Sequence, residues 1–279
     1  MGINTGNVSF EHPNPNVRRQ IFWFYDPTHL LKSCRNHILD DLVILPGNYK
    51  ISIRDLEDLL AKVRGEYTTA FKFSDDHLDV QGSDRQNATL ALQTISEEIA
   101  ANLKRFFPRS EAKKAMADFF ITVARSYKIM CSRQFYCSKD KFKSALRAYY
   151  IDQLEVLQQL MHYMENTKFG SNKNKFAKGF IITTKSFVEL HALLKDEYDF
   201  PLLITSRICQ DYVENFFSVT RMMDGGGNRV PSSMETLYRI ARNLINAILK
   251  DGKIDIFDLK EALEGLLDVP GTKLSISAH

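Results

Sequence analysis

A chain of 279 residues with 44% hydrophobic, 25% charged and 11% aromatic residues has the balance of a globular protein with a sizeable core. No run approaches the ~20 apolar residues of a membrane helix. The first residues lack the basic-then-apolar order of a signal peptide, and Gly6 stands where myristoylation asks for Ser or Thr. Net charge is only +3, yet residues 101–150 hold twelve Lys or Arg against three acids (Glu111, Asp118 and Asp140). That local excess suits a polyanionic partner or a solvated helical face. Cys34, Cys131, Cys137 and Cys209 form no Cys-x-x-Cys pair and no Cys/His metal spacing, which reads as reduced, intracellular thiols.

Residues 1–20 are polar and turn-rich, with one short strand expected at Val8–Phe10. Ile21 to Tyr25 reads as a buried strand, because β-branched and aromatic side chains suit a pleat covered on both sides. Asp26 follows, and Pro27 is a good first helical residue, since its missing N–H would be unpaired there anyway. Leu30, Leu31, Cys34 and Ile38 then recur at helical spacing, with Lys32, Arg35 and Asn36 turned elsewhere. Asp26 therefore stands at the C-terminal lip of a strand, the edge where open α/β sheets place ligands and catalytic groups. Asp before Pro is equally an ordinary N-cap.

Pro46-Gly47 marks a turn. Beyond it the pattern is helical: Leu56, Leu59, Leu60 and Val63 share one face, and Ala88 to Phe107 reads as one long helix ended by Pro108. Residues 110–131 and 139–166 read as two more helices, and 167–177 as a basic loop. Lys178 to Thr183 suits a strand or a turn, and Ser186 caps a short helix running to Leu194. A helix from about Ser206 puts Asp211, Glu214, Ser218 and Arg221 on one face, with Val213, Phe216 and Phe217 on the buried side. On those residues alone, a surface acidic pair answered by Arg221 explains the pattern. Asp224 to Pro231 is a Gly-rich loop that lacks the phosphate-cradling GxxxxGK[ST] order. A final helix, Met234 to Leu249, carries Arg239 and Arg242. In the tail, Asp251-Gly252 is no calcium loop, because Ala247 and Leu249 would fall at ligand positions.

Three blocks carry a family resemblance. Asp26-Pro27-Thr28-His29-Leu30-Leu31-Lys32-Ser33-Cys34-Arg35-Asn36 resembles the "D-x-P/x-H-L-x-K-x-x-R-N" block of P element-type transposases, which include the THAP-domain transposases. Leu203 to Phe217 is similar to the same family's "L-T-x-R-x-x-Q-D-x-x-E-N-x-F" helix, and Gly225-Gly226-Gly227-Asn228 with Pro231 to its "G-G-x-N-x-x-P" loop. The blocks come in family order and span about His12 to Leu249.

The resemblance implies a mostly helical α/β chain: a truncated RNase H-like core interrupted by a large all-α insertion domain. Residues 1–48 and 201–250 would be the two core pieces, 49–200 the GTP-binding insertion and 251–279 a tail. It implies Mg²⁺-dependent DNA cleavage and strand transfer, with Asp26 and Glu214 as catalytic carboxylates and metal ligands, because two ions need clustered acids. It further implies a GTP contact at Asp211, and DNA phosphates at Lys32, Arg35, Arg221, Arg239 and Arg242. A nuclear setting and a homo-oligomer on DNA go with it. Two departures stand out. The family's first aspartate has no counterpart in residues 1–25, whose sole carboxylate is Glu11. Gln86-Asn87 stands where the insertion usually carries a basic residue. The expectation is thus a transposase homologue or fragment, inactive alone; the alternative is a domesticated DNA-, nucleotide- or partner-binding protein without catalysis.

Overall fold

The computed structural model describes residues 3–14, 16, 19–170 and 175–210, and beyond these Glu214, Phe217, Ser218, Met222, Arg239 and Ile240. The chain falls into two compact units, Met1–Cys209 and Gln210–His279. The first is mostly helical. The divide expected at 48/49 lies inside it.

Two short strands open the described chain, β1 (Ser9–Glu11) and β2 (Gln20–Phe22), antiparallel with Phe10 opposite Ile21. The run expected as a buried strand is therefore a partly exposed hairpin arm that stops at Phe22, and Trp23 and Tyr25 are exposed. α1 (Pro27–Asp40) follows, burying Leu30, Leu31, Cys34 and Ile38 as the spacing predicts. β3 (Val43–Leu45) and β4 (Tyr49–Ile51) pair across the Pro46-Gly47-Asn48 turn, where Gly47 and Asn48 both take positive φ, +82° and +62°. β5 (Lys168–Phe169) joins the other edge of β3, placing Val43 opposite both Ile51 and Phe169.

α2 (Ile53–Val63) starts at a Ser52/Asp55 capping box and buries Leu56, Leu59, Leu60 and Val63. The helix expected over Ala88–Phe107 is two: α3 (Ala88–Thr94) and α4 (Glu97–Phe106). Ser96 separates them by capping α4, its hydroxyl accepting from the Ile99 amide. α5 (Glu111–Met130) is a 20-residue core helix, and α6 (Tyr150–Asn166) begins later than expected, because residues 139–149 fold as irregular chain around buried Phe142 and Leu146.

The largest departure is α7 (Lys175–Tyr198). One helix of 24 residues replaces the expected strand or turn and short helix. Phe176, Ala177, Gly179, Phe180, Ile181, Ile182, Thr183, Thr184, Ser186 and Phe187 are all buried, so α7 is enclosed on nearly every side. It packs against α1 and α6. The expected helix from Ser206 opens instead as a 3₁₀ turn, Thr205–Ile208, while Glu214, Phe217 and Ser218 are helical and Phe217 is exposed. Val213, Phe216 and the expectations for 223–238 and 241–279 lie outside the described residues.

Six cations of the basic stretch, Lys104, Lys113, Lys114, Arg125, Lys128 and Lys141, lie against acids within the first unit. Lys113 reaches Asp58 at 2.5 Å and Asp55 at 3.4 Å, Lys104 reaches Asp118 at 2.6 Å, and Lys141 reaches Asp152 at 2.6 Å. Glu97 accepts from Arg125 at 2.9 Å and Lys128 at 2.6 Å, and Lys128 also donates to Asp140 at 2.8 Å. Burial alone would raise both carboxyls. Lys128, joined by Arg125 at Glu97, more than offsets it and holds both below the usual carboxylate range. Such groups stabilise the fold above their unfolded pKa, and that contribution is lost as pH falls through the folded value. The unfolding free energy should therefore fall as pH drops below about 4. Denaturant melts across pH should show a shallower fall for Lys128→Met than for the unsubstituted chain.

Candidate active site

Asp26 is the N-cap of α1: its Oδ2 accepts from the His29 amide at 2.9 Å and its carbonyl from the Leu30 amide. The capping reading of Asp-Pro is thus realised. It leaves open what else the half-buried carboxylate does.

The backbone leading into Asp26 is held by side chains of α7. Fully buried Thr183 is doubly engaged: its Oγ1 accepts from the Tyr25 amide at 2.8 Å and donates to the Tyr25 carbonyl at 3.1 Å. Three residues on, buried Ser186 donates its hydroxyl to the Trp23 carbonyl at 2.5 Å. One turn before, Gly179 leaves no room for a side chain, since a Cβ there would lie 2.7 Å from Leu30 Cδ2 and 3.3 Å from Tyr25 Cγ. Gly179, Thr183 and Ser186 recur at i, i+4 and i+7, so one stripe of small residues cradles Trp23–Tyr25 and the start of α1. Phe24 completes the seat against Phe187, ring centroids 4.8 Å apart.

A second segment arrives at the end of α5. The Thr205 hydroxyl donates to the Ile129 carbonyl at 2.5 Å and meets Ser132 Oγ at 2.9 Å, the Ser206 amide donates to the Ser132 carbonyl, and Leu203 and Leu146 exchange backbone hydrogen bonds. Cys209 Sγ lies 3.8 Å from Cys131 Sγ. That contact, burial and, to a smaller extent, the charge of Asp26 raise the Cys131 thiol above its ordinary pKa. Nearby, Thr28 Oγ1 and Tyr127 Oη meet at 3.3 Å.

The other expected site residues divide. Glu214 is helical and exposed, in the second unit, and Arg239 is helical and half-buried. Asp211, Arg221 and Arg242 lie outside the described residues. Lys32 and Arg35, expected on an open face, are buried. Arg35 is enclosed completely, with Nη2 donating to the carbonyls of Asp84 and Arg85 at 3.2 and 2.9 Å and Nε to Asn36 Oδ1 at 2.8 Å. Burial chiefly, with Arg85 beside it, lowers its pKa against the pull of Asp40 and Asp84. Arg35 is a structural tie between α1 and residues 84–85, and a DNA phosphate has no path to it here. Sequence reasoning missed Thr183 and Ser186, whose hydroxyls carry no motif. The carboxylate oxygens of Asp26 are hard donors suited to Mg²⁺. Among the described residues, however, no group of three or more His, Cys, Asp or Glu is placed to hold an ion. A cleft of about 960 Å³ between α4, α5, α6 and the β3–β4 turn is lined by none of the expected site residues.

No family model matches the chain. It is 27% identical over 256 residues to Transposable element P transposase of Drosophila melanogaster, covering 88% of this chain and 33% of that protein. Among solved structures it superposes on the Drosophila P element transposase strand transfer complex with a TM-score of 0.78 at 25% identity, over 86% of this chain and 55% of the other. Over most of its length this chain is similar to P element transposase. It spans about a third of its curated relative's length. The likeness to P element transposase accounts for the mostly helical fold with its small sheets, and no described helix is long and apolar enough to cross a membrane.

The cradle makes a direct prediction. Thr183→Val should leave the Tyr25 amide and carbonyl unpaired, lowering stability by about 1–3 kcal/mol. It should also speed amide exchange at Tyr25, and Thr183→Ser should restore both. Equal protection of the Tyr25 amide in Thr183→Val would refute the cradle.

Proposed function

We propose that this chain is a P element-type transposase homologue or fragment whose Asp26 and Glu214 serve as the metal-holding carboxylates of an RNase H-like nuclease core. The observation that carries the proposal is the setting of Asp26: a carboxylate at the head of α1, its backbone pinned by Thr183, within the block similar to the family's aspartate motif. In this reading 1–48 and 201–250 are core pieces, 49–200 is the helical insertion and 251–279 a tail. Bound Mg²⁺ would supply activation of water or a 3′-hydroxyl and stabilisation of the leaving oxygen. The chain's own part is to fix the Asp26 carboxylate on a rigid helix start and to dock the Leu203–Cys209 segment at the end of α5. Asp211 is assigned to GTP. Arg221, Arg239 and Arg242 are assigned to DNA phosphates, while buried Lys32 and Arg35 are left to the fold. Nuclear action and self-association on DNA belong to the same reading.

Glu11 is the sole carboxylate in residues 1–25, and on this reading the 279 residues tested by themselves bind DNA without cutting it. A second reading, a domesticated DNA-, nucleotide- or partner-binding protein, draws support from the capping role of Asp26, whose Oδ2 accepts from the His29 amide.

Incubation with labelled duplex DNA and Mg²⁺ should give binding that weakens steeply with salt, and no cleavage. Nicking abolished by Asp26→Ala would overturn the inactivity, and flat binding across the salt series would overturn DNA as partner.

A further inference from the structure

The chain between α5 and α6 exposes two adjacent aromatic rings, Phe135 at 58% and Tyr136 at 65%. Apolar rings this open usually belong to loose loops, but this one is tied down. The Ala145 amide donates to the carbonyls of Gln134 and Phe135 at 2.7 and 3.2 Å, and the Cys137 amide to Ser144 Oγ at 2.9 Å. Buried Gln153 donates to the carbonyls of Ser144 and Ala145 at 3.2 and 3.1 Å. The rings are thus held outward by a braced backbone.

Their surroundings are basic. Residues 133–143 hold Arg133, Lys139, Lys141 and Lys143 against the single acid Asp140. Asp140 already answers Lys128 of α5, and Lys141 answers Asp152. Lys139 and Lys143 are exposed just beyond the rings along the chain. The loop also leaves from the end of α5, where Ser132 holds Thr205 and Ser206.

We infer that the braced loop 133–143 is a landing surface for single-stranded DNA, whose bases stack on Phe135 and Tyr136 while Lys139 and Lys143 meet the phosphates. A duplex keeps its bases stacked on one another and offers no free face to a side-chain ring; an unpaired strand does. Phosphate attraction alone calls for cations without rings, and an apolar protein partner for rings without this excess of cations. The inference rests on DNA being the partner, as proposed above, but not on metal chemistry at Asp26.

The test uses the full chain, a fluorescent oligothymidylate and a duplex of the same length, with anisotropy read across a salt series. Phe135→Ala/Tyr136→Ala should weaken oligothymidylate binding about tenfold or more, with the salt slope and duplex binding unchanged. Lys139→Gln/Lys143→Gln should reduce the oligothymidylate salt slope by about 1.4, at ~0.7 for each phosphate no longer neutralised. All four side chains are exposed, and unchanged circular dichroism checks the fold. Equal oligothymidylate affinity in the ring variant, an equal loss on duplex, or failure of the unsubstituted chain to bind oligothymidylate would each overturn the inference. Loss in the ring variant alongside an Asp26→Ala chain that behaves like the unsubstituted one on metal would sink only the nuclease reading.

Discussion

A single threonine hydroxyl takes the place of a neighbouring strand. Residues 23–25 run extended beyond β2, where a peptide group ordinarily finds partners on an adjacent strand. Here Thr183 supplies both at once, accepting from the Tyr25 amide and donating to its carbonyl. The exchange works only because α7 comes close, and it comes close because Gly179 carries no side chain where Leu30 and Tyr25 pass. The direction of α1, and with it the position of Asp26, follows from that seat.

The electrostatics run against a simple reading of composition. The excess of Lys and Arg in residues 101–150 suggests a broad basic face, yet Lys104, Lys113, Arg125, Lys128 and Lys141 each lie against a carboxylate of their own unit. Asp58, Glu97 and Asp152 come from outside the stretch, so part of the asymmetry in sequence closes in space. Exposed cations remain in two places, Arg105 and Arg109 around the end of α4 and Lys139 and Lys143 in the loop after α5. A polyanion would meet separate patches and not a uniform field.

Much of the fold was legible, and the failures have physical causes. α2 was plain because it is amphipathic, with one apolar stripe and a capping box. α7 was not, because a helix buried all round shows no stripe, and Gly179 with the β-branched run Ile181–Thr184 mimics a strand or turn. The α3–α4 break hinged on one serine whose capping role is indistinguishable from a surface residue until the chain turns there. Asp26 was legible as a residue of interest and as a cap, and it is a cap. Arg35 looked like a surface cation on a helix, but its guanidinium is enclosed by carbonyls of residues 84–85, a pairing about fifty positions away that no local pattern foretells.

On this view the cradle of α7 presents Asp26 as a carboxylate able to hold a divalent ion as well as to cap α1. Mn²⁺ titration followed by amide NMR tests it most directly, because the paramagnetic ion broadens only nearby signals. The account predicts selective broadening of the His29 and Leu30 amides, lost in Asp26→Asn while their shifts still report a formed helix start. Broadening that is absent at saturating Mn²⁺, or that persists unchanged in Asp26→Asn, would contradict it and leave Asp26 as a helix cap alone.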